Sequence, residues 1–243
     1  MIKAACHIHS EWSYDGKWPL AKLVAEFGRR GYDVLLTTEH DRSFTEARLL
    51  EYRHACAQAS SENVRIVPGI EYSDVDNIVH VLVWGSVPFL GEALSTPELL
   101  EKVKMAGGIA VLAHPSRKKA WKRFDPEWVP NLLGIEVWNR KTDGWAPSKS
   151  AAALLNKTSL LPFVGTDFHT PRQFFPLTTE LEIQSPVTET SVLECLKSRR
   201  CRATALNMSL EEFLAHGWRR SGLEAAEHGR RAAALVFRKL KLV

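Results

Sequence analysis

The sequence predicts an α/β protein built from parallel βαβ units. Three observations predict it. Short apolar runs rich in β-branched residues alternate with helical periodicity about seven times along the chain. Gly, Pro, Ser and Thr stand at the joins, where turns and helix caps need them. Histidines and acidic residues recur where the apolar runs end, the place at which parallel strands gather functional side chains on one face. This alternation leaves a closed barrel and a long open sheet as alternatives.

The elements follow in order. "IKAACHIH" reads as a strand, and its period of two puts His7 and His9 on one face. "PLAKLVAEFGRRG" reads as a helix, with Pro19 near its start and Gly31 at its end. "DVLLTTEH" is short and apolar, hence a buried strand, and a helix runs from Phe44 to about Ala59. "RIVPGIEYS" and "IVHVLVWG" are strands. "TPELLEKVKMAGG" is a helix with Thr96 as N-cap, Pro97 at its first position and a Gly-Gly stop. "IAVLAHPS" and "LLGIEVWN" are strands separated by a Trp- and Lys-rich loop. "SKSAAALLNK" is helical, and "LPFVGTDFH" and "TTELEI" are strands. A boundary falls near Ser185-Pro186. Beyond it lie a helix at Glu189–Lys197, a short helix in "SLEEFLAHG" and a basic tail.

Composition narrows the class. The chain has 243 residues, 45% hydrophobic and 25% charged, with a net charge of +4, which suits one globular domain and an anionic substrate. No apolar run is long enough to span a bilayer. The polar N-terminus predicts no secretory leader, and Cys6, Cys56, Cys195 and Cys201 form no C-x-x-C pair. Together these predict reduced thiols in a cytoplasmic protein. Cys6 points away from the histidine face and reads as core.

The chemistry lies in the strand ends. His7 and His9 end the first strand, Asp15 follows in "SEWSYDG", and His40 ends the second strand. Glu71 ends "VPGIEYS", His80 lies in "NIVHVLVWG", His114 ends "AVLAHPS", and Asp167 and His169 end "FVGTDFH". The remaining histidines, His54, His216 and His228, fall in helical stretches. Six imidazoles and three carboxylates gathered on one face are costly to desolvate without compensation. Divalent ions such as Mn²⁺, Zn²⁺ or Fe²⁺ provide it, since neutral imidazole and ionised carboxylate are good ligands for them. Nine donors exceed the needs of one ion and suit two or three with bridging carboxylates.

Seven segments, "HIHSEWSYDG", "TTEHD", "GIEYS", "HVLVWG", "AHPSR", "GIEVWN" and "GTDFHT", span His7 to about Arg172. In them the chain resembles the PHP (polymerase and histidinol phosphatase) superfamily of metal-dependent phosphoesterases. The resemblance implies a distorted (β/α)7 barrel, TIM-like. With the length and the boundary near Ser185-Pro186, the chain reads as a single domain with the barrel over residues 1–185 and 186–243 a helical segment packing on it. The resemblance also implies that His7, His9, Glu71 and Asp167 hold one ion. Glu71 then bridges to a second ion on His80 and His114, and Asp15, His40 and His169 hold a third. The chain departs from the pattern at Ala5 and Glu39, where Asp is usual, and at Ala113, where Ser is frequent. None of these removes a ligand, but they bear on how the ions are tuned.

Clustered ions acidify a bound water, neutralise phosphoryl oxygens and align attacker with leaving group. The expected reaction is therefore attack on phosphorus by a metal-bridging hydroxide held at Glu71 and Asp167, without a Ser or Cys nucleophile. Arg117 in "HPSRKK" and Arg172 in "HTPRQ" are the candidates to bind the substrate phosphate. Trp12, Trp18, Trp121, Trp138 and Trp145 fall in or near strand-end loops, where they either wall a pocket for a ring-bearing leaving group or pack the loops down. A small phosphorylated metabolite or nucleotide is the expected substrate. The alternative is a nucleic acid cut by a nuclease or phosphodiesterase, with basic "SRKKAWKRF" tracking its backbone. A protein-tyrosine phosphatase and a non-catalytic metal-stabilised module stand behind these. The tail "HGRRAAALVFRKLKLV" either packs its Leu and Val face on the barrel or meets an acidic partner or membrane surface.

Overall fold

β1 (Ile2–Ile8) leads into α1 (Leu20–Gly28), whose Leu20, Leu23, Val24 and Phe27 share one buried face. These elements come from a computed structural model that describes residues 1–184 and 186–239; Ser185, at the expected boundary, and residues 240–243 lie outside the described residues. β2 (Val34–Thr37) and β3 (Glu39–His40) are two halves of one apolar run. α2 (Glu46–Ala59) starts where the Thr45 side chain accepts from the Arg48 N–H. Pro68, with no N–H to give a ladder, divides the next run into β4 (Arg65–Val67) and β5 (Gly69–Ser73). β6 (His80–Trp84) and α3 (Thr96–Met105) follow. The N-cap of α3 is Ser95 in place of the expected Thr96, because Ser95 is still extended while Thr96 already lies within the helix.

The second half contains β7 (Ile109–Ala113), β8 (Gly134–Asn139), α4 (Arg140–Asp143), α5 (Lys149–Leu155) and β9 (Leu161–Gly165). β10 (Leu177–Leu181), α6 (Glu189–Lys197), β11 (Cys201–Ala205) and β12 (Met208–Ser209) follow. α7 (Leu210–Ala215) and α8 (Gly217–Lys239) end the described chain. The segment after residue 186 thus carries two strands as well as helices. The Leu and Val side chains on which the expected packing of the tail rests lie outside the described residues.

The strands form two six-stranded sheets, ordered β12-β11-β10-β1-β2-β4 and β3-β5-β6-β7-β8-β9. β1, β2 and β4 run parallel, as do β3 with β5 and β7 with β8 and β9. The expectation of parallel pairing throughout is corrected at β6, which is antiparallel to both β5 and β7. No helix separates β5 from β6. Instead the Asp74 N–H donates to Val79 O and the Asn77 N–H to Asp74 O, both at 2.9 Å, closing a hairpin. β1 with β10, and β10 with β11, are also antiparallel. Among the described residues the ladders do not close into one barrel. The ends of β1 and β9 are nevertheless tied, with His9 N–H donating to Phe168 O at 2.9 Å and Phe168 N–H to His7 O at 3.0 Å.

Alternation along β6 shows how the core is divided. Leu82 and Trp84 join Cys6, Leu36, Val111 and Phe163 in an inner plug, while Val81 and Val83 face the helices with Phe27, Tyr52 and Leu99. His80 shares the parity of Leu82 and Trp84, so it projects to the inner side, above the plug. Among the described residues no helix is long and apolar enough to cross a membrane.

Leu82 is fully buried in that plug. Leu82→Ala should lower unfolding stability by about 2–5 kcal/mol in a denaturant titration, and a loss under about 1 kcal/mol would contradict the packing described.

Candidate metal centre

The cluster is organised on Glu71, in the middle of β5, which is 1% exposed. Its Oε1 lies 2.8 Å from His80 Nδ1 and 2.9 Å from His114 Nε2. Its Oε2 lies 3.1 Å from His40 Nδ1 and 3.4 Å from both His7 Nε2 and His9 Nε2. Asp167 Oδ1 stands 3.8 Å from His7 Nε2, 3.6 Å from His9 Nε2 and 3.3 Å from His169 Nδ1. Asp15 faces His40 Nε2 at 3.3 Å and His169 Nε2 at 3.0 Å. All nine ligand candidates read from the sequence therefore meet in one place.

Register explains the meeting. His40 pairs directly with Glu71 across β3 and β5, and His80 pairs with Ala113, next to His114. The antiparallel direction of β6 brings its first residue, His80, to the rim where its neighbours β5 and β7 bring their C-terminal ends. Regular pleating does not put His7 and His9 together, as the sequence suggested. His7 has φ 60° inside a register shift of β1, and His9 lies just past the strand. His114 (φ 22°) and Asp167 (φ 48°) are also left-handed, a strain of about 1–3 kcal/mol each in non-glycine residues.

Two buried carboxylates orient these ligands. Glu136 in β8 accepts from His7 Nδ1 at 2.9 Å, from the His114 N–H at 2.8 Å and from Asn139 Nδ2 at 3.1 Å. This fixes the His7 tautomer with its Nε2 lone pair toward the cluster. A Cβ at Gly165 would stand 1.8 Å from Glu136 Oε1, so only glycine admits the carboxylate. Glu39 accepts from the hydroxyls of Ser10 at 2.6 Å and Ser13 at 2.5 Å. Ser13 Oγ in turn accepts from the His40 N–H at 3.0 Å and from His9 Nδ1 at 3.2 Å. From the sequence alone Glu39 is only a departure from the family pattern, and Glu136 carries no role. The available signal was an acid inside the otherwise apolar strand "GIEVWN".

Burial opposes charge on every one of these groups, and the neighbouring charges set the balance group by group. Burial draws His7 toward its neutral form, but Glu136, Asp167 and Glu71 raise its pKa well above the ordinary value. Burial also works against His40, and Asp15 and Glu71 lift it to about 10. Against the same penalty, His7 and its neighbours hold Glu71 well below the carboxylate range and Asp167 at about 2. Burial and the nearby imidazoles of His40 and His169 push His9 down.

The donors fit divalent ions. His7 Nε2, His9 Nε2, His40 Nε2 and Asp15 Oδ1 are buried without a hydrogen-bond partner. Donor atoms within 4.8 Å of one another form the sets His7–His9–Glu71, His7–His114–Asp167, Glu71–His80–His114 and His9–Asp15–His40–His169. Inward-aimed lone pairs lacking donors are what an ion replaces.

The cluster forms the floor of a recess of about 360 Å³. Arg117 lines it, its Nη1 3.1 Å from both His80 Nε2 and Asn77 O. Lys141 also lines it, with Nζ 3.4 Å from Asp167 Oδ1 and 3.0 Å from His169 Nε2, a cation that no sequence motif marks. Arg172 does not; it lines a neighbouring recess. Among the described residues none of the five tryptophans lines the metal recess. Trp138 is fully buried, and Trp12 and Trp18 pack on Tyr52 and Phe168. The exposed ring at the mouth is Tyr14, stacked on His40 with centroids 5.0 Å apart.

Comparison with solved structures gives the fold a family setting. A two-domain protein of Bacteroides vulgatus containing a PHP-like metal-dependent phosphoesterase superposes with a TM-score of 0.62 at 21% identity, over 84% of this chain and 64% of that one. The fold is PHP-like. The chain spans less than two thirds of that Bacteroides protein. The lesion-specific endonuclease PfuEndoQ of Pyrococcus furiosus superposes with a TM-score of 0.56 at 14% identity, over 81% of this chain and 56% of that one. In sequence, the chain is 27% identical over 151 residues to the uncharacterised protein MJ1587 of Methanocaldococcus jannaschii, covering 57% of this chain and 82% of that one. No protein-family model matches the chain.

Glu136→Gln keeps the shape but cannot accept from both His7 and the His114 N–H. Competition with a chromogenic chelator should show metal affinity reduced about 10–100-fold; an unchanged affinity would remove Glu136 from the centre.

Proposed function

We propose that the chain is a PHP-superfamily hydrolase that cleaves a phosphomonoester of a small metabolite or nucleotide with two or three divalent ions. In this reading the two sheets are halves of one distorted (β/α)7 barrel. His7, His9, Glu71 and Asp167 hold one ion, Glu71 bridges to a second on His80 and His114, and Asp15, His40 and His169 hold a third. The observation that carries the proposal is the set of buried imidazole and carboxylate atoms that face one another without partners.

When bound, the ions supply an acidified water for attack and positive charge for the phosphoryl oxygens. The chain supplies the rest. Arg117, beside His80, is placed to take a phosphoryl oxygen with its guanidinium. Lys141 adds a point charge on the Asp167 side. Glu136 and the Ser13–Glu39 pair hold His7 and His9 in one tautomer, so the ligands need not reorganise. Tyr14 offers a ring face to the leaving group at the mouth.

A nuclease is the second reading, supported by the fold shared with an endonuclease and by the basic segment at Arg117–Lys122. Against it, Lys118 Nζ is already engaged with Asn77 O at 2.7 Å at the rim of the recess.

The test is a phosphate-release panel of sugar phosphates, nucleotides, phosphotyrosine and short RNA, with the protein supplied with Mn²⁺, Zn²⁺ or Fe²⁺. Release from small monoesters, abolished by chelator and restored by metal, is expected. Inertness toward every ester with each metal would falsify the proposal, and cleavage of RNA alone would favour the nuclease. Arg117→Ala should raise KM about tenfold or more with metal content intact; loss of metal instead would make its role structural.

A further inference from the structure

Lys141 lines two recesses. One is the metal recess; the other, of about 480 Å³, opens on its far side. Three separate elements wall the second recess: α4 with Arg140 and Lys141, the 3-10 turn Pro171–Gln173 with Arg172, and α8 with Arg230. Four cations thus converge, against one carboxylate, the buried Glu227. Glu227 is engaged within α8 by Arg230, at 2.7 and 2.8 Å. Arg140 donates to the Arg172 carbonyl at 3.3 Å, which ties the turn to α4. Arg230 also lies over Trp145, 5.7 Å from the ring centroid, a contact between α8 and the loop after α4. Cations drawn from one helix are commonly a solvated face. Cations brought by three elements into one concavity repel each other and make a site of positive potential for an anion.

We propose that this recess binds a second phosphate group of the same molecule whose ester phosphate lies at the metal centre. The substrate is then a doubly phosphorylated small molecule. Lys141 stands between its two phosphates, Arg140, Arg172 and Arg230 hold the far one, and α8 becomes a specificity element. This rests on the phosphoesterase reading for the near phosphate, while the far site stands on its own residues. Planar guanidinium groups are suited to bidentate contact with a phosphate that is bound and not cleaved.

The experiment uses the full chain loaded with Mn²⁺ and matched pairs of sugar, inositol and nucleoside esters carrying one phosphate or two. KM is read where the ester is turned over, and Kd by calorimetry where it is not. At least one pair should show the doubly phosphorylated member favoured by about tenfold or more. Arg230→Ala and Arg172→Ala should each cut that ratio several-fold, and Arg230→Lys should restore part of it. If no pair shows a preference, or the preference survives both alanine substitutions, the proposal is overturned. If free phosphate added to a singly phosphorylated ester reproduces the gain, the recess serves a separate effector and the proposal also falls. If doubly phosphorylated ligands bind through Arg230 and Arg172 but no ester is hydrolysed with any metal, the far site stands and the phosphoesterase reading fails.

Discussion

A carboxylate with five imidazoles around it is the constraint on which the structure turns. Glu71 is buried and has His7, His9, His40, His80 and His114 within 3.4 Å. An isolated ionised carboxylate in such surroundings is strongly disfavoured. Its place is tolerable only if the four strands β1, β3, β6 and β7, which bring positive or ligating groups, arrive together. Pairing of β3 and β5, reversal of β6 and bulging of β1 are the geometric means of that arrival.

The cost of the cluster extends outward in two directions. Below it, an apolar plug of Cys6, Leu36, Leu82, Trp84, Val111 and Phe163 closes the interior and keeps the local dielectric low. Around it, the His7 ring and the left-handed backbone of His114 are held by one carboxylate, Glu136, which fits only because Gly165 has no side chain. The ligands are thereby fixed before any ion or substrate arrives, the condition under which metal and phosphate binding need least rearrangement. Above the cluster the charge changes sign. Arg117 and Lys141 border the recess, so carboxylates and imidazoles lie at the floor and cations at the wall.

Much of this was legible in the sequence, for a physical reason. A His, Asp or Glu at the edge of an apolar run, or in the loop beside it, leaves a local signature, and all nine ligand candidates converge. What was not legible depends on partners distant in sequence. Nothing in "NIVHVLVWG" tells that β6 runs antiparallel; that follows from the Asp74–Val79 hairpin and explains why His80 begins its strand. Glu136 and Glu39 act through His7, His114 and Ser13, and such pairings are invisible in a linear reading. Arg117 and Arg172 look equivalent by spacing, yet they line different recesses. The tryptophans that stood at loop positions mostly pack inward, since large rings beside strand ends find apolar neighbours before they find a ligand.

Elemental analysis of the full chain, purified without chelator, tests the central claim most directly when wild type and Glu71→Gln are compared. Wild type is expected to carry about two or three equivalents of Mn, Zn or Fe per chain, and the variant about one or fewer, with circular dichroism unchanged. A folded wild-type protein that carries no transition metal and takes none up on dialysis would contradict the assignment of this cluster as a metal centre.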